Sequence, residues 1–334
     1  MYLSIIIVNY KSTHHILECL KSAFEFSSAQ NFEWIVVDND SKDDSEQRIC
    51  HQFPSVRWVN MGYNAGFARA NNEGMRQATS NCYLLLNPDT LIIDDGIWRC
   101  YQKLVEGDAI ASATQLLNAD GSPQATGHYF MTGGLNHLLP LPYLGNFLKQ
   151  LALLVGQQKT HLLAAQNVQE VDWLNGAFIM VKKNAIEQAG LMDEDFFLYF
   201  EEIEWCSRLR KVGKLLVYGE LTTTHLQGET INAATGNVEK GYFDLYTKKG
   251  LQLMVSGNVR IKKQFGNVWF FIHLLVLLVE IPIFAVLSFL QHAVLLKNPF
   301  SAWDKVVGYS SNVMQLVKLS PTIQKGKPHF YKMF

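Results

Sequence analysis

The sequence is poor in cysteine, in charged residues and in any excess of one charge sign. Its five cysteines are odd in number and include no C-x-x-C pair, so neither a disulfide framework nor a zinc ribbon is indicated. They are Cys19, Cys50, Cys82, Cys100 and Cys206. The formal charge of -1 argues against a nucleic-acid-binding protein, which needs a basic face to neutralise phosphates. A reducing cytosol fits this cysteine usage best.

No targeting signal is recognisable at the start of the sequence. The first apolar run, Leu3 to Val8, has no basic leader and is too short for a signal peptide, so we expect it to form a buried strand. With 334 residues, of which 48% are apolar, the chain can bury a full core. We predict one large domain over residues 1–235 and a helical C-terminal region over 236–334.

Short apolar runs alternate with helix-like segments through the first half of the chain. Strands are predicted at Leu3–Val8, Trp34–Val37, Val56–Val59 and Tyr83–Leu86, and helices at His14–Phe26 and Gly66–Ala78. This βαβα order predicts a mostly parallel sheet with ligand-binding loops at the C-terminal ends of its strands. Residues 118–170 contain turn residues together with Pro140 and Pro142, which predicts an irregular excursion on the acceptor side.

The buried strand ending at Leu86 runs into Asn87-Pro88-Asp89. Pro88 lacks a backbone donor and ends strand pairing, so the chain leaves the sheet at its C-terminal edge, where ligands usually bind. We expect Asp89 to be an exposed carboxylate on a stiff support. Considered in isolation, however, this Asp is better explained as the cap of the following turn.

Six segments, in order along the first two-thirds of the chain, strengthen the functional interpretation of Asp89. They are Asn9-Tyr10, Val36 to Ser41, Asn64 to Gly74, Leu86 to Thr90, Trp173 to Ala177 and Ala189 to Glu204. Together they resemble family two of the inverting glycosyltransferases, in particular its rhamnosyltransferase-like branch. The resemblance implies an α/β GT-A fold with a Rossmann-like, mostly parallel sheet, a nucleotide-sugar donor, and Mg²⁺ or Mn²⁺ held by Asp89.

The same resemblance implies roles for further residues. Asp38 would accept the N3–H of a pyrimidine base, although it could instead cap a turn in an Asp-rich loop. The donor-binding residues would be Asn9, Tyr10, Asp38, Asn64, Gly66, Phe67, Asn71 and Asn87, and the acceptor-side residues Trp173, Gly176 and Glu201. Gly66 lets the backbone approach a phosphate at a helix start, while close helix packing of Gly66 and Gly74 is the alternative. The spacing of the glycines in the Asn64 to Gly74 segment does not match a dinucleotide-binding fingerprint.

An inverting transfer needs one general base, and the sequence departs from the family at that position. The usual Glu-Asp-x-Asp reads Glu201-Glu202-Ile203-Glu204 here, so Glu202 is the candidate base. Glu201 lies about 100° around a helix from Glu202 and cannot point at the same hydroxyl. Glu204 and Arg208 are spaced for an i,i+4 salt bridge, which competes with an active-site role for Glu204.

His225 precedes a glycine-containing loop, where some relatives place a metal-binding histidine. Imidazole is a suitable additional ligand for manganese beside a carboxylate. A single histidine at a strand end is equally well explained as a hydrogen-bonded structural residue.

An apolar segment at residues 268–296 is long enough to cross a bilayer. Glu280, Pro282 and a polar stripe of His273, Glu280 and Gln291 argue against a simple crossing, and basic residues flank both ends. We therefore expect an in-plane or re-entrant helical hairpin broken at Pro282. A buried soluble helical pair or a homodimer interface is the alternative.

These features together predict a metal-dependent inverting glycosyltransferase on the cytoplasmic face of the inner membrane, peripheral or monotopic. We expect it to move one sugar, best matched by rhamnose from dTDP-rhamnose, to a lipid-linked glycan in polysaccharide synthesis. Two alternatives stay open: a transferase using a UDP-sugar donor, and a catalytically silent sugar-nucleotide-binding scaffold subunit at the membrane. The Glu-for-Asp change at Glu202 is the feature that favours the scaffold.

Overall fold

The computed structural model describes residues 2–154, 160–226 and 244–334. The described residues divide into two units. The first unit contains residues 2–129, 161–194 and 201–226, and the second contains 130–154, 160, 195–200 and 244–334. The domain boundary predicted at 235/236 lies outside the described residues, and the segment predicted as an excursion, 118–170, contributes to both units.

The first unit is built on a mixed sheet. In chain order, the described strands are β1 (Leu3–Asn9), β2 (Phe32–Asp38), β3 (Arg57–Asn60), β4 (Cys82–Leu86), β5 (Thr90–Leu91), β6 (Ala111–Leu117), β7 (Gly127–His128), β8 (His161–Leu162), β9 (Val168–Val171), β10 (Trp173–Leu174), β11 (Phe178–Lys182) and β12 (Leu215–His225). Strands β3, β2, β1 and β4 are parallel neighbours, as the βαβα order predicts. Strand β11 is antiparallel to both β4 and β6, so the sheet is mixed rather than mostly parallel.

Helices cover this sheet and continue into the second unit. They are α1 (Thr13–Phe24), α2 (Ser45–Gln52), α3 (Gly66–Gln77), α4 (Gly96–Glu106), α5 (Leu144–Leu154), α6 (Lys183–Ala189), α7 (Glu201–Leu209), α8 (Lys248–Phe265), α9 (Asn267–Val294) and α10 (Trp303–Lys325). Strands β1, β2 and β4 are almost fully buried, which explains their continuous apolar sequences.

Different structural features explain the presence of glycine at the two glycine positions of α3. A Cβ atom at Gly74 would lie 2.4 Å from Cγ2 of Ile6, so the packing explanation holds for Gly74. Gly66 begins the helix with φ +76°, a left-handed conformation that favours glycine. The Gly66 backbone conformation therefore shapes the loop after β3, independently of helix packing.

The second unit has its own core, formed by α8, α9, α10 and residues of the segment before α5. Pro140 and Pro142 separate a 3-10 segment, Thr132–Leu138, from α5, which agrees with the predicted lack of one regular helix. The expected break at Pro282 is not present, because α9 continues through it as one 28-residue helix. A single missing N–H donor removes one helical hydrogen bond, and packing against α8 and α10 compensates for it.

Candidate active site

Backbone pairing brings Asn87, Asp89 and His225 together at one edge of the sheet. The N–H of Asn87 donates to the carbonyl of Ala177 at 3.0 Å, which anchors the chain where β4 ends. Strand β5 then pairs antiparallel with the end of β12, so that Thr90 lies opposite His225. As a result, Nε2 of His225 lies 3.4 Å from Oδ1 of Asp89.

The structure corrects the prediction that Asp89 is exposed. Its side chain is only 3% exposed, because the end of β12 covers the turn that Pro88 creates. Among the described residues, Oδ1 of Asp89 accepts no hydrogen bond. Burial raises the pKa of Asp89, but His225 beside it, in its protonated form, outweighs this effect and holds the pKa below its ordinary value.

Gln124, which the sequence analysis did not single out, fixes the orientation of the His225 ring. Its side-chain N–H donates to the carbonyl oxygen of His225 at 2.5 Å, so its own oxygen faces Nδ1 of the ring at 3.0 Å. An amide oxygen can only accept, and Nδ1 must therefore carry the proton. In the neutral ring this leaves Nε2 as the acceptor nitrogen, 3.3 Å from Nδ2 of Asn87 and facing Asp89.

The donor atoms at this edge suit a hard divalent cation. A carboxylate oxygen without a hydrogen bond and a neutral imidazole nitrogen face each other, and either a proton or a metal cation between them would satisfy both. No group of three metal-ligating side chains occurs within the described parts of the chain. Mg²⁺ and Mn²⁺ commonly take one or two protein ligands and complete their shell with substrate phosphates and water. Asp89 and His225 therefore fit such an ion.

A second polar cluster lies where β1 and β2 end, and Asp38 is at its centre. Asp38 is 6% exposed; Nδ2 of Asn9 donates to its Oδ1 at 2.8 Å, and the N–H of Ser41 donates to its Oδ2 at 3.2 Å. Each carboxylate oxygen can accept two hydrogen bonds, so Asp38 keeps capacity for two more donors. The loops here also hold Lys11, Asp40 and Lys42 at positive φ, a strain that often accompanies functional sites.

The remaining donor-side residues have different environments. Oδ1 of Asn64 accepts from Nδ2 of Asn39 and from the N–H of Gly66, so Asn64 shapes the loop before α3. Tyr10 and Phe67 are half-buried. Asn71 is 1% exposed and its amide donates to the carbonyl of Phe67, so the structure gives Asn71 a helix-internal partner instead of access to a ligand.

Glu202 lies beside the segment that anchors Asn87. A Cβ atom at Gly176 would lie 3.6 Å from Cγ of Glu202, and Gly176 precedes Ala177, whose carbonyl binds Asn87. At this distance a Cβ atom would be in ordinary van der Waals contact with the Glu202 side chain. Glu202 is half-buried, in contrast to its buried neighbours Glu201 and Ile203.

The two other glutamates of α7 differ from Glu202. Glu201 is 3% exposed, its Oε2 accepts no hydrogen bond from described residues, and burial, reinforced by the charge of Glu202, raises its pKa well above the ordinary value. Glu204 forms the i,i+4 salt bridge with Arg208 at 2.8 Å, which confirms the structural interpretation of that residue. Of the three carboxylates, Glu202 is therefore the one suited to accept a substrate proton.

Trp173, predicted on the acceptor side, is half of an aromatic stack. Its ring lies 3.7 Å from that of His128, with an interplanar angle of 6°. Burial and the neighbouring His161 lower the pKa of His128 to about 4, so the stacked imidazole is neutral at pH 7. His128 had no sequence signal, since its pairing with Trp173 depends on β7 and β10 being antiparallel neighbours.

Comparison with known proteins gives a family match for the first half of the chain. Residues 4–162 match the family described as Glycosyl transferase family 2. The low-salt glycan biosynthesis hexosyltransferase Agl10 of Haloferax volcanii is 31% identical over 218 residues, which are 63% of this chain and 62% of that protein. The alignment thus spans less than two-thirds of that relative's length.

Two further similarities concern another relative and the fold. The N-acetylglucosaminyl-diphospho-decaprenol L-rhamnosyltransferase of Mycobacterium tuberculosis is 23% identical over 231 residues, 65% of this chain and 73% of that protein. The crystal structure of GalNAc-T7 with UDP, GalNAc and Mn²⁺ covers 75% of this chain and 51% of its own, with 13% identity and a TM-score of 0.51, which shows a shared fold. Residues 4–162 thus correspond to a domain of glycosyl transferase family 2, and the chain has the GT-A fold.

Proposed function

We propose that the protein is a metal-dependent inverting glycosyltransferase that moves a hexose, best matched by rhamnose from dTDP-rhamnose, to a lipid-linked glycan. One observation carries the proposal: the buried Asp89 oxygen and Nε2 of His225 face each other, while Glu202 supplies a separate, half-buried carboxylate. A leaving diphosphate and an attacking hydroxyl need two such separate groups.

The sugar and the acceptor are supported by what the relatives are named for. The mycobacterial protein is named as an L-rhamnosyltransferase acting on a diphospho-decaprenol-linked sugar, and the Haloferax volcanii protein is named as a hexosyltransferase of glycan biosynthesis. We extend both the rhamnosyl donor and the lipid-linked acceptor to this chain. A UDP-sugar is the alternative donor, since pyrimidine nucleotides of both kinds present the N3–H that Asp38 would accept.

In the proposed reaction Glu202 accepts the proton of the acceptor hydroxyl. The hydroxyl oxygen forms a bond to the anomeric carbon while the bond from that carbon to the diphosphate breaks, which inverts the configuration. Asp89 and His225 would hold the divalent cation, and Gln124 keeps the His225 ring in the tautomer that can bind it. When bound, the cation supplies charge neutralisation for the diphosphate.

The pyrimidine base of the donor would bind to residues whose side chains are already fixed by hydrogen bonds. Asn9 and Ser41 fix the Asp38 carboxylate by 2.8 and 3.2 Å hydrogen bonds, so no reorganisation is needed before a pyrimidine N3–H binds. The half-buried Tyr10 ring follows β1 directly and provides an aromatic surface for the base. We place catalysis on the cytoplasmic face of the membrane, where nucleotide sugars are available.

A panel of nucleotide sugars tests this function directly. Thermal shift of the full chain with dTDP-rhamnose, UDP-galactose, UDP-N-acetylglucosamine and GDP-mannose, each with and without Mn²⁺, identifies the donor. Release of nucleoside diphosphate is then measured for the donor that binds. We expect stabilisation by a pyrimidine nucleotide sugar only with the metal, followed by hydrolysis or transfer. Binding without any turnover would support the silent scaffold, and stabilisation by GDP-mannose alone would contradict the role of Asp38.

A further inference from the structure

The two units carry opposite charges that the overall charge of -1 conceals. Within the described residues, the second unit contains twelve lysines and arginines against four aspartates and glutamates, a net charge of +8. The first unit contains 15 basic and 24 acidic residues, a net charge of -9. A unit this basic attracts an anionic surface, and the attraction does not depend on a specific pocket.

Helix α9 of the basic unit has the reverse of the usual amphipathic arrangement. Its polar residues His273 and Glu280 are 2% and 0% exposed. Nε2 of His273 contacts the carbonyl oxygen of Gly133 at 2.8 Å, and the Glu280 carboxylate accepts the N–H groups of Tyr143 and Leu144. Between its ends the exposed residues of α9 are apolar, among them Val268, Phe271, Leu275, Val279, Val286 and Leu290; Gln291, near the C-terminal end, is exposed and accepts a hydrogen bond from the Tyr143 hydroxyl. A water-facing helix places its polar residues outward, so this outer face is suited to hydrocarbon.

The turn between α9 and α10 extends this apolar surface. Leu296 is 95% exposed and has φ +54°, which is unusual for a leucine. Phe300 and Trp303 follow at 59% and 45% exposure, with their rings 5.9 Å apart, and Lys297 lies exposed between them and Leu296. Exposed aliphatic and aromatic residues beside lysine are characteristic of segments that enter the headgroup region of a bilayer.

Two features argue against α9 crossing a membrane. Helix α8 packs along α9 and carries Lys248, Arg260, Lys262 and Lys263, which cannot enter the hydrocarbon core. About a third of the most apolar part of α9 is buried inside the unit, so lipid can reach one side of the helix only. A groove of about 480 Å³ next to the outer face of α9 is lined entirely by α9 and the region of α5, including Phe147, Pro282 and Leu287.

We infer that the basic unit docks on an anionic lipid bilayer through the outer face of α9 and the α9–α10 turn, inserting Leu296, Phe300 and Trp303. The inference rests on the proposed function in that it names the surface from which a lipid-linked acceptor is reached. The charge of +8 favours a bilayer over a second copy of this unit, because two such units would repel each other. The groove between α5 and α9 has room for part of a lipid hydrocarbon chain.

Vesicle binding by the full chain tests the inference. Sedimentation is measured with vesicles of phosphatidylcholine alone and of phosphatidylcholine with phosphatidylglycerol, at low and high salt. We expect binding to the anionic vesicles, weakened by salt, and a loss of about tenfold or more in the partition constant of a Leu296→Glu, Phe300→Glu double variant. The matched control is Val168→Glu, an exposed apolar residue of the first unit, which should bind as the wild type does.

Insertion is measured through Trp303. Brominated lipids should quench part of the tryptophan fluorescence of the wild type, and the Trp303→Phe variant should lose that part. Equal binding to neutral and anionic vesicles, unchanged binding by the double variant, or a wild-type dimer that the double variant converts to monomers would overturn the inference. Donor hydrolysis needs no vesicles, so an inactive protein that still binds them would refute only the proposed function.

Discussion

The side-chain oxygen of Gln124 lies 3.0 Å from Nδ1 of His225, and the amide nitrogen of Gln124 lies 2.5 Å from the carbonyl oxygen of the same histidine. One glutamine therefore holds both the ring and the backbone of His225. Because the amide orientation determines which ring nitrogen is protonated, Gln124 determines that Nε2 faces Asp89 with its lone pair. Residues behind a metal ligand commonly act in this way.

The Gln124→Leu substitution should weaken Mn²⁺ binding by about 10- to 100-fold, because His225 would no longer be held in one tautomer and orientation. Isothermal titration of Mn²⁺ into the full chain measures this without any turnover. Asn72→Leu is the matched control, since it removes another buried amide of the first unit, one that bonds Met192 and Glu194. Wild-type Mn²⁺ affinity in a folded Gln124→Leu protein would contradict the positioning role.

The Asp89→Asn substitution should reduce transfer by about 10²-fold or more, since it removes the anionic ligand while keeping the shape of the side chain. Steady-state release of nucleoside diphosphate, measured over a range of Mn²⁺ concentrations, is the assay. We expect excess Mn²⁺ to restore only part of the rate. If Asp89→Asn protein turns over normally at low Mn²⁺, Asp89 is the turn cap that the isolated motif favours.

The Glu202→Gln substitution should lower kcat by about 10²- to 10⁴-fold and leave donor binding unchanged, because a neutral amide cannot accept the hydroxyl proton. Transfer kinetics combined with donor affinity from thermal shift separate these effects. Glu204→Gln is the control on the same helix: it should lose stability through its broken contact with Arg208 and retain turnover. Comparable turnover losses in both variants would remove the distinction between the two glutamates.

The Glu201→Gln substitution should stabilise the protein increasingly as the pH rises above about 4.3, the ordinary pKa of glutamate. Burial, followed by the charge of Glu202, raises the pKa of Glu201 in the folded state, so the folded state holds a proton that the unfolded state has released. The stability that protonated Glu201 contributes is thus fully present below the pKa of this residue in the unfolded state. As the pH rises it decreases by about 1.4 kcal/mol per pH unit, until the pH passes the pKa of Glu201 in the folded state.

Denaturant unfolding of wild type and Glu201→Gln at several pH values measures this effect. The two stability curves should converge near pH 4 and separate toward pH 8, with the variant the more stable. Parallel curves would show that the buried carboxyl is ionised in the folded protein.

Local sequence patterns predicted much of the first unit because its strands are short, apolar and buried. The apolar runs at Leu3–Val8 and Tyr83–Leu86 form strands that are parallel neighbours in the core. Glu204 and Arg208, spaced i,i+4, form the predicted salt bridge. Two members of the polar stripe predicted for α9, His273 and Glu280, share one buried face, whereas the third, Gln291, is exposed. Periodicity of this kind depends only on neighbours along one element.

The candidate site was only partly predictable, because its contacts join distant parts of the chain. The prediction that Asp89 is exposed was wrong, because β12, more than a hundred residues later in the chain, covers this side chain. Gln124 and His128 lie in a region that appeared irregular in the sequence, and their roles arise from strand pairings that no local pattern records. The prediction of a helix break at Pro282 was wrong, because packing against α8 and α10 supports α9 as one continuous helix.

The sequence by itself determined the family, the apolar strands, the carboxylates available for chemistry and the presence of one long apolar helix. Only the tertiary structure decided which of those carboxylates is buried without a hydrogen bond, which histidine nitrogen faces it, and which side of α9 faces outward. The physical reason is that a side chain's identity belongs to the sequence, whereas its solvation and its hydrogen-bond partners depend on what the rest of the chain packs against it.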